Sequence, residues 1–90
     1  MTFVWDEAKN SANIAKHGLS FETASCVFDD ENRVELYDSY HSINEDRYIT
    51  IGYVNEIIYV VYTCRQKYTR IISARKANVA ERRLYYGYYL

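Results

Sequence analysis

The side chains best suited to chemistry gather late in the chain. The run "YTCRQKYTRIISAR" (residues 62–75) sets Arg65, Arg70 and Arg75 among tyrosines and β-branched residues, while His17, His41, Glu45 and Arg47 lie upstream. That set suits a phosphodiester. Arginine offers a permanently charged, planar donor fork to phosphate oxygens, and tyrosine rings offer stacking surfaces to unpaired bases. RNA brings its own nucleophile, the 2′-OH. Its cleavage then needs only a base, charge stabilisation at phosphorus and a proton for the leaving 5′-oxygen. The sequence has no HExxH, no DxD, no Walker glycine loop and no serine in a glycine-flanked elbow. Neither a metal nor another cofactor is expected.

Charge is distributed to match. Residues 1–64 carry four basic side chains against eleven acidic ones, whereas residues 65–90 carry seven basic ones against the single Glu81. A formal net charge of −1 thus conceals a balance of −7 followed by +6. Such asymmetry points to a nucleic-acid or acidic partner, or to two halves that neutralise each other.

Each candidate also has a plainer reading. His17 ends a helical pattern beside Gly18, where the helix dipole favours a cation regardless of function. His41 opens "HSINEDR" between two strands, the place of an ordinary loop histidine. Glu45 and Arg47 orient a substrate or form a surface ion pair of little worth. Arg70 and Arg75 differ in strand parity, which predicts side chains on opposite faces of the sheet.

Ninety residues make a single domain, residues 1–90, with one core. The N-terminus "MTFVWDEAKN" has no signal-like apolar segment, and no stretch approaches a membrane span, so a cytoplasmic protein without membrane contact is expected. Cys26 and Cys64 lie 38 positions apart without metal spacing and read as free, buried thiols.

The elements that must position these groups are legible. "FVW" suits a short first strand. Asp6 and Gly18 bracket "EAKNSANIAKH" as a helix with Ala8, Ala12, Ala15 and then Leu19 as its core stripe and Lys9 and Lys16 on a neighbouring side. Ser20 caps a second helix bearing Phe21, Ala24 and Phe28. "RVELYDSY", "RYITIGYV", "IIYVVYTC" and "TRIISAR" read as consecutive antiparallel strands, the middle pair joined by Asn55–Glu56. A two-residue turn there predicts Ile49, Ile51, Tyr53, Ile58, Val60 and Tyr62 on one face and places Gly52 opposite Tyr59. Asn78 and Glu81 have capping-box spacing and open a last short helix. The fold class is α+β, with two N-terminal helices packed on one face of a four- to five-stranded antiparallel sheet.

"WDEAKNSANIAKHGLSFETASCVF", "HSINEDR", "VVYT" with Arg65, and "RIISARKA", in this order, resemble the BrnT toxin family from Trp5 to about Tyr85. The resemblance implies a RelE-like fold and a ribonuclease toxin of a type II toxin–antitoxin pair. It further implies neutralisation by a BrnA-type antitoxin, a heterotetramer formed through antitoxin dimerisation, and operator DNA reached only through that antitoxin. Matched motif by motif, it places the family's "KHG" on Lys16, His17 and Gly18, its "H...E.R" on His41, Glu45 and Arg47, and its "T.R" and "SAR" arginines on Arg65 and Arg75. Residues and resemblance together nominate His17, Glu45, Arg65 and Arg75 for catalysis, with Lys9, Lys16, Arg47 and Tyr62 contacting RNA. The same Arg/Tyr pattern also fits a non-catalytic nucleic-acid-binding module or an interaction scaffold.

Overall fold

The computed structural model describes residues 1–87; of the tyrosine-rich tail, Tyr88 and Tyr89 lie outside them. The chain runs β1 (Thr2–Val4), α1 (Glu7–His17), α2 (Phe21–Ser25), a 3₁₀ turn (Cys26–Asp29), β2 (Val34–Tyr37), β3 (Tyr48–Val54), β4 (Glu56–Arg65), β5 (Tyr68–Lys76) and α3 (Val79–Tyr86). Side-chain caps fix the helix starts. Asp6 accepts from the Lys9 N–H, Ser20 from the Thr23 N–H, and Asn78 and Glu81 form a reciprocal capping box. Gly18, at φ 68°, closes α1 in the left-handed conformation that glycine adopts without strain.

The five strands lie in the order β1-β5-β4-β3-β2. β2 to β5 pair antiparallel in sequence order, with tight turns between β3 and β4 and between β4 and β5, but β1 runs parallel to β5, so the sheet is mixed rather than antiparallel throughout. Every other element of the sheet intervenes between those two strands. No tight hairpin constrains their relative direction, and β1 simply adds to an open edge.

β1 covers only the start of β5, as far as Arg70. Further along that edge a side chain takes over. Asn13 Nδ2 donates to the Ala74 carbonyl (2.8 Å), and the Ala74 N–H donates to Asn13 Oδ1 (3.2 Å). Asn10 Oδ1 likewise accepts from the Phe21 N–H at 2.8 Å. Helix α1 therefore buries Asn10 and Asn13, and the expected stripe of Ala8, Ala12 and Ala15 faces solvent. Backbone groups on a buried strand edge need partners, and an amide supplies both where a methyl supplies none.

One sheet face packs Ile58, Val60, Ile71 and Ala74 against Phe21, Ala24 and Val27. The other gathers Ile49, Ile51 and Ile57 with Ala77, Tyr59, Val61 and Tyr85 of α3. Asp30 ties α3 down: its carboxylate accepts from the Tyr53 and Asn32 N–H groups and, at 2.6 Å, from the Tyr85 hydroxyl.

Two details of register differ from expectation. The β3–β4 turn centres on Asn55 at φ 63°, so Gly52 pairs with Ile58 and Ile51 with Tyr59. This one-residue shift exchanges the two faces of β3. Gly52 consequently lies in the helix-covered core, where an added Cβ would meet Val27 Cγ2 at 2.6 Å. On β5 the register slips between Val61/Ser73 and Tyr62/Ile71, leaving Ile72 as an extra residue. Arg70 pairs with Thr63 and Arg75 with Tyr59. Both arginines therefore project from the α3 face, correcting the expectation of opposite faces.

Candidate active site

Arg75 is the most firmly held cation on that face. Its guanidinium lies 3.9 Å from the centroid of the Tyr59 ring, which faces it across the β4–β5 pair. Its Nη1 and Nη2 donate to Glu81 Oε1 and Oε2 at 2.8 and 2.9 Å, and Nη1 also reaches the Lys76 carbonyl. Glu81 Oε1 simultaneously accepts from the Asn78 N–H at 2.8 Å. The carboxylate that caps α3 thus holds Arg75 in a planar fork. About a third of the Arg75 side chain stays open to solvent.

Protonation follows this geometry. Burial works to raise the Glu81 carboxyl, but the Arg75 fork and the Asn78 N–H outweigh it and hold it below the usual range. Glu81 in turn holds Arg75 still more firmly charged, against the opposing effect of burial. Burial pushes the Tyr59 hydroxyl up; Arg75 opposes this, while Glu81 and Asp38 add to it. Asp38 accepts from the Tyr37–Tyr48 connection's own histidine: the pair His41 Nδ1 and Asp38 Oδ2 stands at 2.9 Å.

The second grouping surrounds that β2–β3 connection. Ser42 Oγ accepts from the Arg47 N–H, and the Asp38 N–H donates to the Arg47 carbonyl, both at 2.9 Å. Arg47, His41, Ile43 and Glu45 line a hollow of about 260 Å³. Arg65 Nη2 donates to Glu45 Oε2 at the rim of a larger open cleft of about 720 Å³ beside the Gln66 turn.

Of the residues nominated from sequence, the fold brings Glu45, Arg47 and Arg65 together and sets Arg75 on the same side as Arg65. His17, Lys9 and Lys16 belong to α1, which packs against the edge of β5 with the α2 side of the core. Tyr62 is 3 % exposed, packs edge-on against Phe28 (4.9 Å between ring centroids) and donates to Glu35. Burial, then the Glu35 hydrogen bond, raises its pKa. A side chain so enclosed supports the sheet and has no surface for RNA. Cys26 and Cys64 are free, and both are exposed rather than buried: Cys26 sits on the outward side of the 3₁₀ turn between the buried Ala24 and Val27, and Cys64 lies near the end of β4.

Tyr59, Glu81 and Asp38 were not nominated. For Glu81 a signal was present: it is the one acidic residue after position 64, set among seven basic ones and six positions from Arg75.

A small α+β domain with an open, arginine-bearing and tyrosine-lined sheet face defines a class suited to gripping a polyanion. Residues 5–81 match the family model described as "Ribonuclease toxin, BrnT, of type II toxin-antitoxin system", and the chain belongs to that family. It is similar to the Brucella abortus ribonuclease toxin BrnT, whose crystal structure was determined at 1.1 Å resolution. The two share 30% identity and a TM-score of 0.70 over 87% of this chain and 97% of that one. No curated protein sequence matches the chain.

Proposed function

We propose that this ribonuclease toxin cleaves RNA without a metal, through attack of the 2′-OH, and that Arg75 neutralises charge on the reacting phosphoryl group. The observation that carries the reading is the Arg75 fork, pinned by Glu81 and stacked on Tyr59, which presents a fixed cation at low reorganisation cost. In the reaction the 2′-OH loses its proton to a base and its oxygen bonds to phosphorus. The P–O5′ bond breaks, and the departing oxygen takes up a proton. His41, oriented by Asp38, and His17, at the end of the helix that Asn13 ties to Ala74 beside Arg75, are the two candidates for proton transfer. Glu45 and Arg65 hold flanking RNA.

The partner is a BrnA-type antitoxin that covers the same cationic face, assembled as a heterotetramer through antitoxin dimerisation. The test uses purified protein and RNA in excess EDTA. Cleavage should persist and leave 2′,3′-cyclic phosphate ends, with Arg75→Ala slowing it about 10²–10³-fold. Activity abolished by EDTA and restored by Mg²⁺ would overturn the mechanism. Growth arrest on expression, relieved by the neighbouring gene's product, tests the partner.

A further inference from the structure

The open cleft of about 720 Å³ at the β4–β5 hairpin has the lining of a base-binding subsite. Tyr68 is 39 % exposed and faces Arg65 across the hairpin. Tyr48, placed on the helix-covered face by its pairing with Tyr62 and stacked on that ring at 5.8 Å, borders the same end of the cleft from the other side of the sheet. Glu45 commits one carboxylate oxygen to Arg65, leaving the other free of that contact, and the side-chain amides of Asn44 and Gln66 border the same space. Aromatic faces with a few amide and carboxylate groups at the rim are what an unpaired base requires: stacking on its faces and hydrogen bonds to its edge.

The cleft is connected to Arg75 by cations on one sheet face. Arg75 stands at the level of Tyr59 on β4 and Arg70 at the level of Thr63, about 13 Å along the strand, with Arg65 about 7 Å beyond. The Ile72 bulge creates this alignment; without it Arg70 would point into the opposite face. We infer that the cleft bounded by Tyr68, Tyr48 and Glu45 binds one unpaired nucleobase of the RNA strand whose phosphates follow Arg75, Arg70 and Arg65. The inference rests on the ribonuclease reading, but binding tests it separately from cleavage.

The probes are a 2′-O-methyl RNA oligomer, which cannot undergo 2′-OH attack, and a 2′-O-methyl strand of equal length lacking every base. Wild-type protein should bind the RNA more tightly than the base-free strand. Tyr68→Ala should weaken RNA binding about tenfold or more, the worth of one stacked base, while leaving the base-free strand unaffected; Tyr68→Phe should restore the difference. An equal loss on both strands, or none on either, overturns the subsite, as does a Tyr68→Ala variant impaired only in antitoxin binding. Failure of Arg75→Ala to slow cleavage would instead sink the proposed reaction and leave the base measurement standing.

Discussion

Arg70 and Arg75, five positions apart on β5, share a sheet face because Ile72 is an extra residue in the pairing with β4. Strict alternation would separate them; the bulge resets the alternation once, between the two arginines. Arg65, whose partner is Tyr68, joins them on that face. A dispersed set of cations in the sequence thereby becomes a row.

Arg70→Ala tests whether that row contacts phosphates. The variant should bind single-stranded RNA more weakly, and the slope of log affinity against log salt should shrink by about 0.7, the value for one phosphate contact on a single strand. Cleavage at saturating RNA should change far less than in Arg75→Ala. An unchanged salt slope would remove Arg70 from the RNA path.

Glu81→Gln separates positioning from capping. Glutamine at this position preserves capping-box chemistry, so thermal stability should fall by no more than about 1 kcal/mol. It removes the charge that fixes Arg75. The turnover number should drop with little change in KM, as expected when an interaction made in the transition state is weakened. A variant with full turnover would mean that Arg75 needs no such bracing.

The Asp30–Tyr85 contact gives α3 a pH-dependent anchor. Burial acts to raise the Asp30 pKa, but hydrogen bonds from Tyr85, Tyr53 and Asn32, with Arg33 nearby, bring it below its usual 3.8. A lowered carboxyl pKa stabilises the fold above the unfolded value, and that contribution disappears as pH falls through the folded one. Melting temperatures should therefore decline below about pH 4, and Asp30→Asn should flatten that decline. At the alkaline end the hydrogen bond to Asp30, followed by burial, pushes Tyr85 up to about 12. Its contribution is present below pH 10 and fades as pH rises toward that value, which phenolate absorbance would follow.

Asn13→Ala should be among the most damaging single changes outside the apolar core. It leaves the buried N–H and carbonyl of Ala74 without their partners. Two such losses cost about 2–4 kcal/mol, enough to lower the melting temperature of a chain this size by roughly 10 °C or more. A chemical-denaturation midpoint close to wild type would show that water or a shifted β1 satisfies that edge instead.

Local signals carried much of this protein in its sequence. Asp6, Gly18, Ser20 and the Asn78–Glu81 pair act within one turn of chain, so their chemistry fixed the helix ends without knowledge of the rest. The β-rich runs and their order were equally plain, and the motifs around "KHG.SF" and "RIISAR" identified the family. Much of the first motif turns out to serve architecture: Asn13 satisfies a strand edge, Gly18 ends a helix, and Phe21, Ala24 and Val27 are completely buried. Only tertiary structure decided which faces those runs present. Asn55 in a left-handed turn and the extra Ile72 each shift alternation by one residue, and a period of two turns a shift of one into a change of face. The partners of Arg75 needed the fold for a related reason. Tyr59 lies on another strand and Glu81 on a helix, and only register and packing bring a ring and a carboxylate from separate elements onto one guanidinium.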